Sequence, residues 1–216
     1  MDEAFRRGLR LGLPFSLVAF LLSLSFGVLA VQAGFSPLQA IVMSAVVHAG
    51  SAQVAAVAII AGGGGVVPGI AAGGLMNARF LAMGIALAPS LPGGPLSRGL
   101  QGQTVVDPSW VLANRGDGTF DRWQLFGSTV PQYVGWVSGT VVGAFAGDVV
   151  GDTDRFGLDA VFPTFFLALL LVELRDPRTR RVALAGAVIA LALVPFAPPG
   201  IPILVAGIAA LVGLRR

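Results

Sequence analysis

The chain has 216 residues, of which 55% are hydrophobic and 12% charged, with a mean hydropathy of +0.83 and a formal net charge of +3. A soluble globule normally carries charge on about a quarter of its residues, so a soluble domain is excluded, and the lack of cysteine excludes disulfides, thiol nucleophiles and thiolate metal sites. The positive charges are all Arg and cluster at the ends of apolar stretches, which suits membrane orientation rather than nucleic-acid binding.

Crossing the hydrocarbon takes about 20 apolar residues as a helix. In chain order the expected spans are 11–31, 37–61, 66–88, 123–147, 160–174, 182–198 and 201–214. The first follows a charged start with no small-residue cleavage pattern, so it reads as a membrane helix and not a removed signal peptide. The last three are short, and Pro195, Pro198, Pro199 and Pro202 confine the final pair to a tight hairpin. By the positive-inside rule, Arg6, Arg7 and Arg10, then Arg175, Arg178, Arg180 and Arg181, then Arg215 and Arg216 lie in the cytoplasm. The connection holding Asp148, Asp152, Asp154 and Asp159 then lies outside.

Three crossings from the first Arg cluster leave Pro89 outside, whereas the span at 123 must start inside. The polar segment 97–113 is therefore expected to cross back, or to re-enter, with its backbone buried in protein or lining water. This makes Gln101, Gln103, Thr104 and Asp107 interior residues, with a surface loop as the alternative. The expected fold is all-α: a polytopic membrane helix bundle of about seven apolar helices plus this polar segment, forming one transporter domain over residues 1–216. Stretches 26–45 and 142–167 are weakly alike and would make an inverted repeat, an architecture that places a substrate site near the interface of its halves.

Three groups of residues stand out within this frame. Gly135, Gly139, Gly143 and Gly147 recur at every fourth position and form a smooth stripe on a helix, which lets a second helix approach closely. Gly69 and Gly73 repeat the device. His48, Gly50, Ser51 and Gln53 combine small residues with hydrogen-bonding side chains inside an apolar run, which suits a discontinuous helix around a polar ligand. For His48 alone an interhelical hydrogen bond explains as much. Asn77 and Arg79 sit halfway along the third span, where Arg costs about 2.5–3.5 kcal/mol and normally faces a partner inside the bundle. Asp107 is the acidic residue that the topology places at depth, so Arg79 pairs either with Asp107 or with a substrate carboxylate. The glycine run 62–65 lacks a following Gly-Lys-Ser/Thr and is not a phosphate loop. With one histidine and no recognisable catalytic spacing, neither a metal nor another cofactor is expected.

The runs GFSPLQAIVMSAVVHAGSAQVAAVAIIAGG, LMNARFLAMGIALAP, TVVDPSWVLA and FGLDAVFPTFFLALLLVEL resemble, in that order, the AzlC family, the large subunits of bacterial branched-chain amino acid exporters. The Gly-Ser-Ala-Gln and Asn-x-Arg elements are the most specific parts of the likeness. Members often carry a His directly after the Arg and an acidic residue after the Asp, where this chain has Phe80 and Pro108. The resemblance implies export of valine, leucine, isoleucine or methionine from a bacterial inner membrane, with a small membrane partner of the AzlD type. A zwitterionic apolar amino acid then needs Arg79 or helix N-termini for its carboxylate, Asp107 and free carbonyls for its ammonium, and an apolar wall from Phe80, Met76, Val54 or Trp110. Drive by the proton motive force makes Asp107 the proton-coupling candidate, although an adjacent Arg79 lowers its proton affinity. A non-enzymatic transporter is the reading adopted, with a passive channel or an intramembrane enzyme using Asp107 and His48 as alternatives.

Overall fold

The computed structural model describes residues 2–150, 177–197 and 201–207, with the isolated positions Thr164, Leu167, Leu170, Leu171, Leu174 and Ala209. The regular elements among the described residues are all helices, with one isolated bridge between Asn114 and Phe120. The helices are α1 (Asp2–Gln32), α2 (Pro37–Val47), α3 (Gly50–Ala61), α4 (Val66–Asn77), α5 (Arg79–Leu87), α6 (Pro95–Gly102), α7 (Asp107–Ala113), α8 (Arg122–Val150), α9 (Pro177–Leu193) and α10 (Ile201–Ala206). The expected span 160–174 falls almost wholly outside the described residues, as do Asp152, Asp154 and Asp159.

The frame is the pair α1 and α8. Gly8 and Gly12 lie against Gln124 and Ser128, Gly135 against Ser16, Gly139 against Phe20, Gly143 against Leu24, and Gly27 against Thr140. Contacts advance along both helices together, so α1 and α8 run parallel. At each of these glycines a Cβ would overlap the facing backbone, which explains why both helices carry a small-residue stripe. The partner of the stripe is thus a helix of the same chain. Gly147 belongs to the last turn of α8, where side-chain surroundings are not described.

The other helices are best placed by their level along α8. α2 starts after a tight turn at the carboxyl end of α1, capped by Ser36 and Gln39 in a reciprocal capping box. It descends so that Ala40 packs with Ala144, the Ser44 hydroxyl meets that of Thr140, and Tyr133 donates to the Ala45 carbonyl. α3 starts with Gly50 against the Trp136 ring and climbs back, so that Val57 rejoins Ala30, Ala40 and Ala144. The expected span 37–61 is therefore a hairpin that enters from the carboxyl end, turns at half depth and returns.

α4 packs antiparallel on α3 through Gly73 beside Ala52 and Gly69 beside Ala56, and α5 continues it after a 42° bend. Leu87 and Leu91 then reach Leu125 at the amino end of α8. The stretch 66–88 does traverse the bundle, but broken at its middle. From there α6 rises until Thr104 accepts a hydrogen bond from Thr129, and α7 returns until the Leu112 carbonyl meets Gln124. Segment 97–113 is thus a second hairpin, entering from the amino end. Both of its ends lie at the amino end of the bundle, beside Pro89 and the start of α8, which is the re-entrant form of the arrangement expected for it.

One described helix, Glu3–Gln32, is long and apolar enough to cross a membrane alone, and the bent pair Val66–Asn77 with Arg79–Ser90 is a second such stretch. Among the described residues, the stretch 37–61 forms a hairpin of two helices and not one straight span. The helices that open the stretches 26–45 and 142–167 run parallel; of the second stretch, residues 151–163, 165 and 166 lie outside the described residues. Near the C-terminus, α9 and α10 pack together through Gly186 beside Ala206, and Pro195 lies in the turn between them.

Candidate functional site

The two hairpin tips meet at half depth, and each exposes backbone that a continuous helix would have satisfied. At the first tip, His48 adopts the left-handed conformation (φ 43°) and ends α2. The orphaned groups find side-chain partners. The Gln53 amide oxygen accepts from the Ala49 N–H at 3.1 Å while its nitrogen donates to Ser44 Oγ at 3.1 Å. Tyr133 donates to Ala45 O at 2.9 Å, and Gln103 of the second tip donates to Val46 O at 3.1 Å. The second tip is held by Thr129 donating to Thr104 O at 2.7 Å and by Ser109, which caps the Val106 N–H.

Between the tips lies the ion pair. Arg79, at the start of α5 just past the bend, donates through Nη2 to Asp107 Oδ2 at 2.8 Å and to Ser51 Oγ at 3.3 Å. Its guanidinium carbon sits 5.2 Å from the centre of the Phe80 ring, so Phe80 supplies a cation–π contact. The pair expected from sequence is formed, but it is not closed off: the Arg79 and Asp107 side chains are 39% and 53% exposed. Among the residues expected inside, Gln103 is likewise exposed, and Gln101 and Thr104 are half-buried. Gln101 turns back to Pro92 and Ser97 instead of facing the pair.

The remaining candidates divide by environment. Ser51 touches Arg79 directly. Gln53 is fully buried and bonded on both sides of the break, so it fixes the tip. Gly50 leaves room for the Trp136 ring, which a Cβ would strike. His48 packs edge-on against Tyr133 with ring centres 4.9 Å apart. Asn77 ends α4 with its Oδ1 buried and without a partner. Tyr133 was not singled out from sequence, yet it is the single tyrosine of the chain and lies in the middle of an apolar helix, a signal of a polar handle at depth. No cluster that could hold a metal occurs among the described residues.

Beyond the site, the 114–121 loop is tied by Arg115 to Asp121 at 2.9 Å and by two Thr119 hydrogen bonds to Asp117. Those Thr119 bonds hold the Asp117 carboxyl below its ordinary range. For Asp121, partial burial opposes ionisation, but the Arg115 hydrogen bond and the backbone N–H groups of Gln124 and Trp123 outweigh it and lower the value.

The profile of the family described as AzlC protein matches residues 14–150, which include both hairpins, the broken helix and α8. The chain belongs to the AzlC family. This AzlC-family chain is similar to the inner membrane protein YgaZ of Escherichia coli, 26% identical over 185 residues that cover 77% of this chain and 74% of that protein. It is similar also to the branched-chain amino acid transport protein AzlC of Bacillus subtilis, 25% identical over 186 residues that cover 85% of this chain and 73% of that one. An uncharacterized membrane protein of Archaeoglobus fulgidus is 28% identical over 195 residues, covering 87% of this chain and 84% of that protein. No solved structure matches the chain. Membership places the protein among membrane proteins of amino acid transport, acting on a small molecule.

Proposed function

We propose that this protein is the large subunit of a secondary transporter that exports valine, leucine, isoleucine, methionine or similar hydrophobic amino acids, driven by the proton motive force. The observation that carries the reading is the Arg79–Asp107 pair at the meeting of two hairpin tips, bonded yet open. An amino acid presents one carboxylate and one ammonium, and a partly exposed cation–anion pair can exchange its internal bond for one bond to each. When a substrate carboxylate takes Arg79, Asp107 is released from its ion pair and is free to meet the substrate ammonium. Asp107 is the group through which proton movement is coupled to that exchange.

Charge supports the setting in a bacterial inner membrane. Within residues 2–150, Arg6, Arg7, Arg10, Arg98, Arg115 and Arg122 all belong to the amino-end part of the bundle, and Arg79 alone sits at depth. By the positive-inside rule that end faces the cytoplasm, together with both termini. On this reading α1, α4–α5 and α8 cross the membrane and the two hairpins re-enter from opposite sides, their tips made tolerable by bonds within the protein. Residues 2–61 and 66–113 are then two units of opposite sense with the site at their interface. The exposed apolar faces of α2 and α8, with Leu38, Val42, Val142 and Phe145, are available to lipid and to a small AzlD-type subunit.

The test is efflux of labelled leucine and valine from cells expressing Arg79→Gln, Asp107→Asn and the double variant at normal membrane levels. Each single variant is expected to fall to background. If the pair only braces the fold, the double variant recovers much of the activity, since neither charge is left unpaired; the transport reading expects it to stay inactive. Normal efflux by both single variants would overturn the site.

A further inference from the structure

The hairpin tips and the middle of α8 enclose between them a half-open groove of about 380 Å³, whose wall residues Val46, Val130 and Val134 are exposed. The first tip contributes Ala45, Val46 and His48, the second Gln103 and Thr104, and the middle of α8 contributes Phe126, Thr129, Val130, Tyr133 and Val134. Three of its polar side chains are engaged in closing the tips, Tyr133 on Ala45 O, Gln103 on Val46 O and Thr129 on Thr104 O, while the His48 ring packs edge-on against Tyr133. What they leave as contact surface is mainly the aliphatic and aromatic parts of Val46, Phe126, Val130, Tyr133 and Val134. The two stretches that wall the cavity are also the ones that carry the charged site. Three residues after His48 comes Ser51, and three after Thr104 comes Asp107, both bonded to Arg79.

We infer that this cavity receives the apolar side chain of the transported amino acid, and that Val130 and Val134 set which side chains are accepted. The inference rests on the transport reading and adds a location for substrate selectivity. A zwitterion held by Arg79 and Asp107 needs an apolar space for its side chain, and this mainly apolar groove, lined by residues three before Ser51 and three before Asp107, fits that chemistry. The walls suggested by sequence are elsewhere: Val54 packs against the core around Phe26, and Phe80 and Trp110 pack against the core around Leu87. Neither they nor Met76 lines this cavity.

Two measurements test it. Because the chain has no cysteine, Val134→Cys gives a single reporter, and its reaction with a small thiol reagent in membranes is followed with and without leucine or glycine. Leucine is expected to protect it several-fold and glycine not. In parallel, efflux of alanine, valine and leucine is compared for the parent, Val130→Phe and Val130→Ala. A hydrophobic pocket discriminates about tenfold or more per methylene-sized change, so Val130→Phe is expected to cut the leucine-to-alanine efflux ratio by about tenfold and Val130→Ala to raise it. No protection, with all substrates scaled by one factor in both variants, overturns the inference while leaving the transport reading intact; that outcome assigns the cavity to lipid or to a partner helix. Protection by leucine in a protein that moves no amino acid would sink the transport reading while leaving the cavity as a binding site.

Discussion

Gln53 illustrates how a residue can be part of a site without touching what the site binds. Its side chain is fully buried and bonds the Ala49 N–H on one side of the helix break and Ser44 Oγ on the other, and Ser44 in turn meets Thr140 on α8 at 2.7 Å. The sequence places Gln53 beside His48, Gly50 and Ser51 and so reads all four as ligand-facing; the fold separates Ser51, which reaches Arg79 on α5, from Gln53, which bonds Ala49 and Ser44 across the break and so holds the tip. Gln53→Leu keeps the size but leaves a buried N–H without its acceptor, at a cost of about 1–3 kcal/mol. The expected result is a lower melting temperature of the purified protein in the absence of any substrate, accompanied by reduced efflux. Unchanged melting with efflux lost would instead make Gln53 a direct substrate contact.

At the level of elements, the stripe on α8 was legible because its signal is local: small residues at every fourth position make a smooth face whatever they meet. Its partner was not legible, since of the complementary glycines of α1, Gly8, Gly12 and Gly27, the last two are fifteen positions apart, and all three lie more than a hundred residues earlier. A Cβ at Gly139 would overlap Phe20 O and the Ser23 hydroxyl, and one at Gly143 would overlap Leu24 O. Replacing both with Leu raises hydrophobicity, so membrane insertion should be normal, yet it overpacks a backbone-to-backbone contact and should cost about 1–3 kcal/mol at each position. Thermal melting in detergent measures this. A double variant as stable as the parent would mean that α1 and α8 are not held together by this seam.

On the scale of the whole molecule, the sequence conveys that polar residues lie at depth but not how the chain brings them there. An apolar run of 25 residues such as 37–61 has the length and composition of a span, and hydropathy is blind to a reversal at its middle. The reversal depends on His48 in the left-handed conformation and on carbonyls of α2 satisfied by Tyr133 and Gln103, both far away in sequence. Counting that run as a crossing requires a second crossing at 97–113; with both as hairpins neither is needed, and α8 starts beside the N-terminus in either count. The Arg79–Asp107 pair survives either topology because an Arg at depth needs an anion under both. The alternatives separate cleanly by accessibility. Single cysteines placed at Gly94 and Gly118 should both react with a membrane-impermeant thiol reagent from the cytoplasmic side, and those at Gly34 and Gly63, in the turns after α1 and α3, from the outside. If Gly94 reacts from the outside while Gly118 reacts from the cytoplasm, segment 97–113 crosses the membrane and the paired hairpins are wrong.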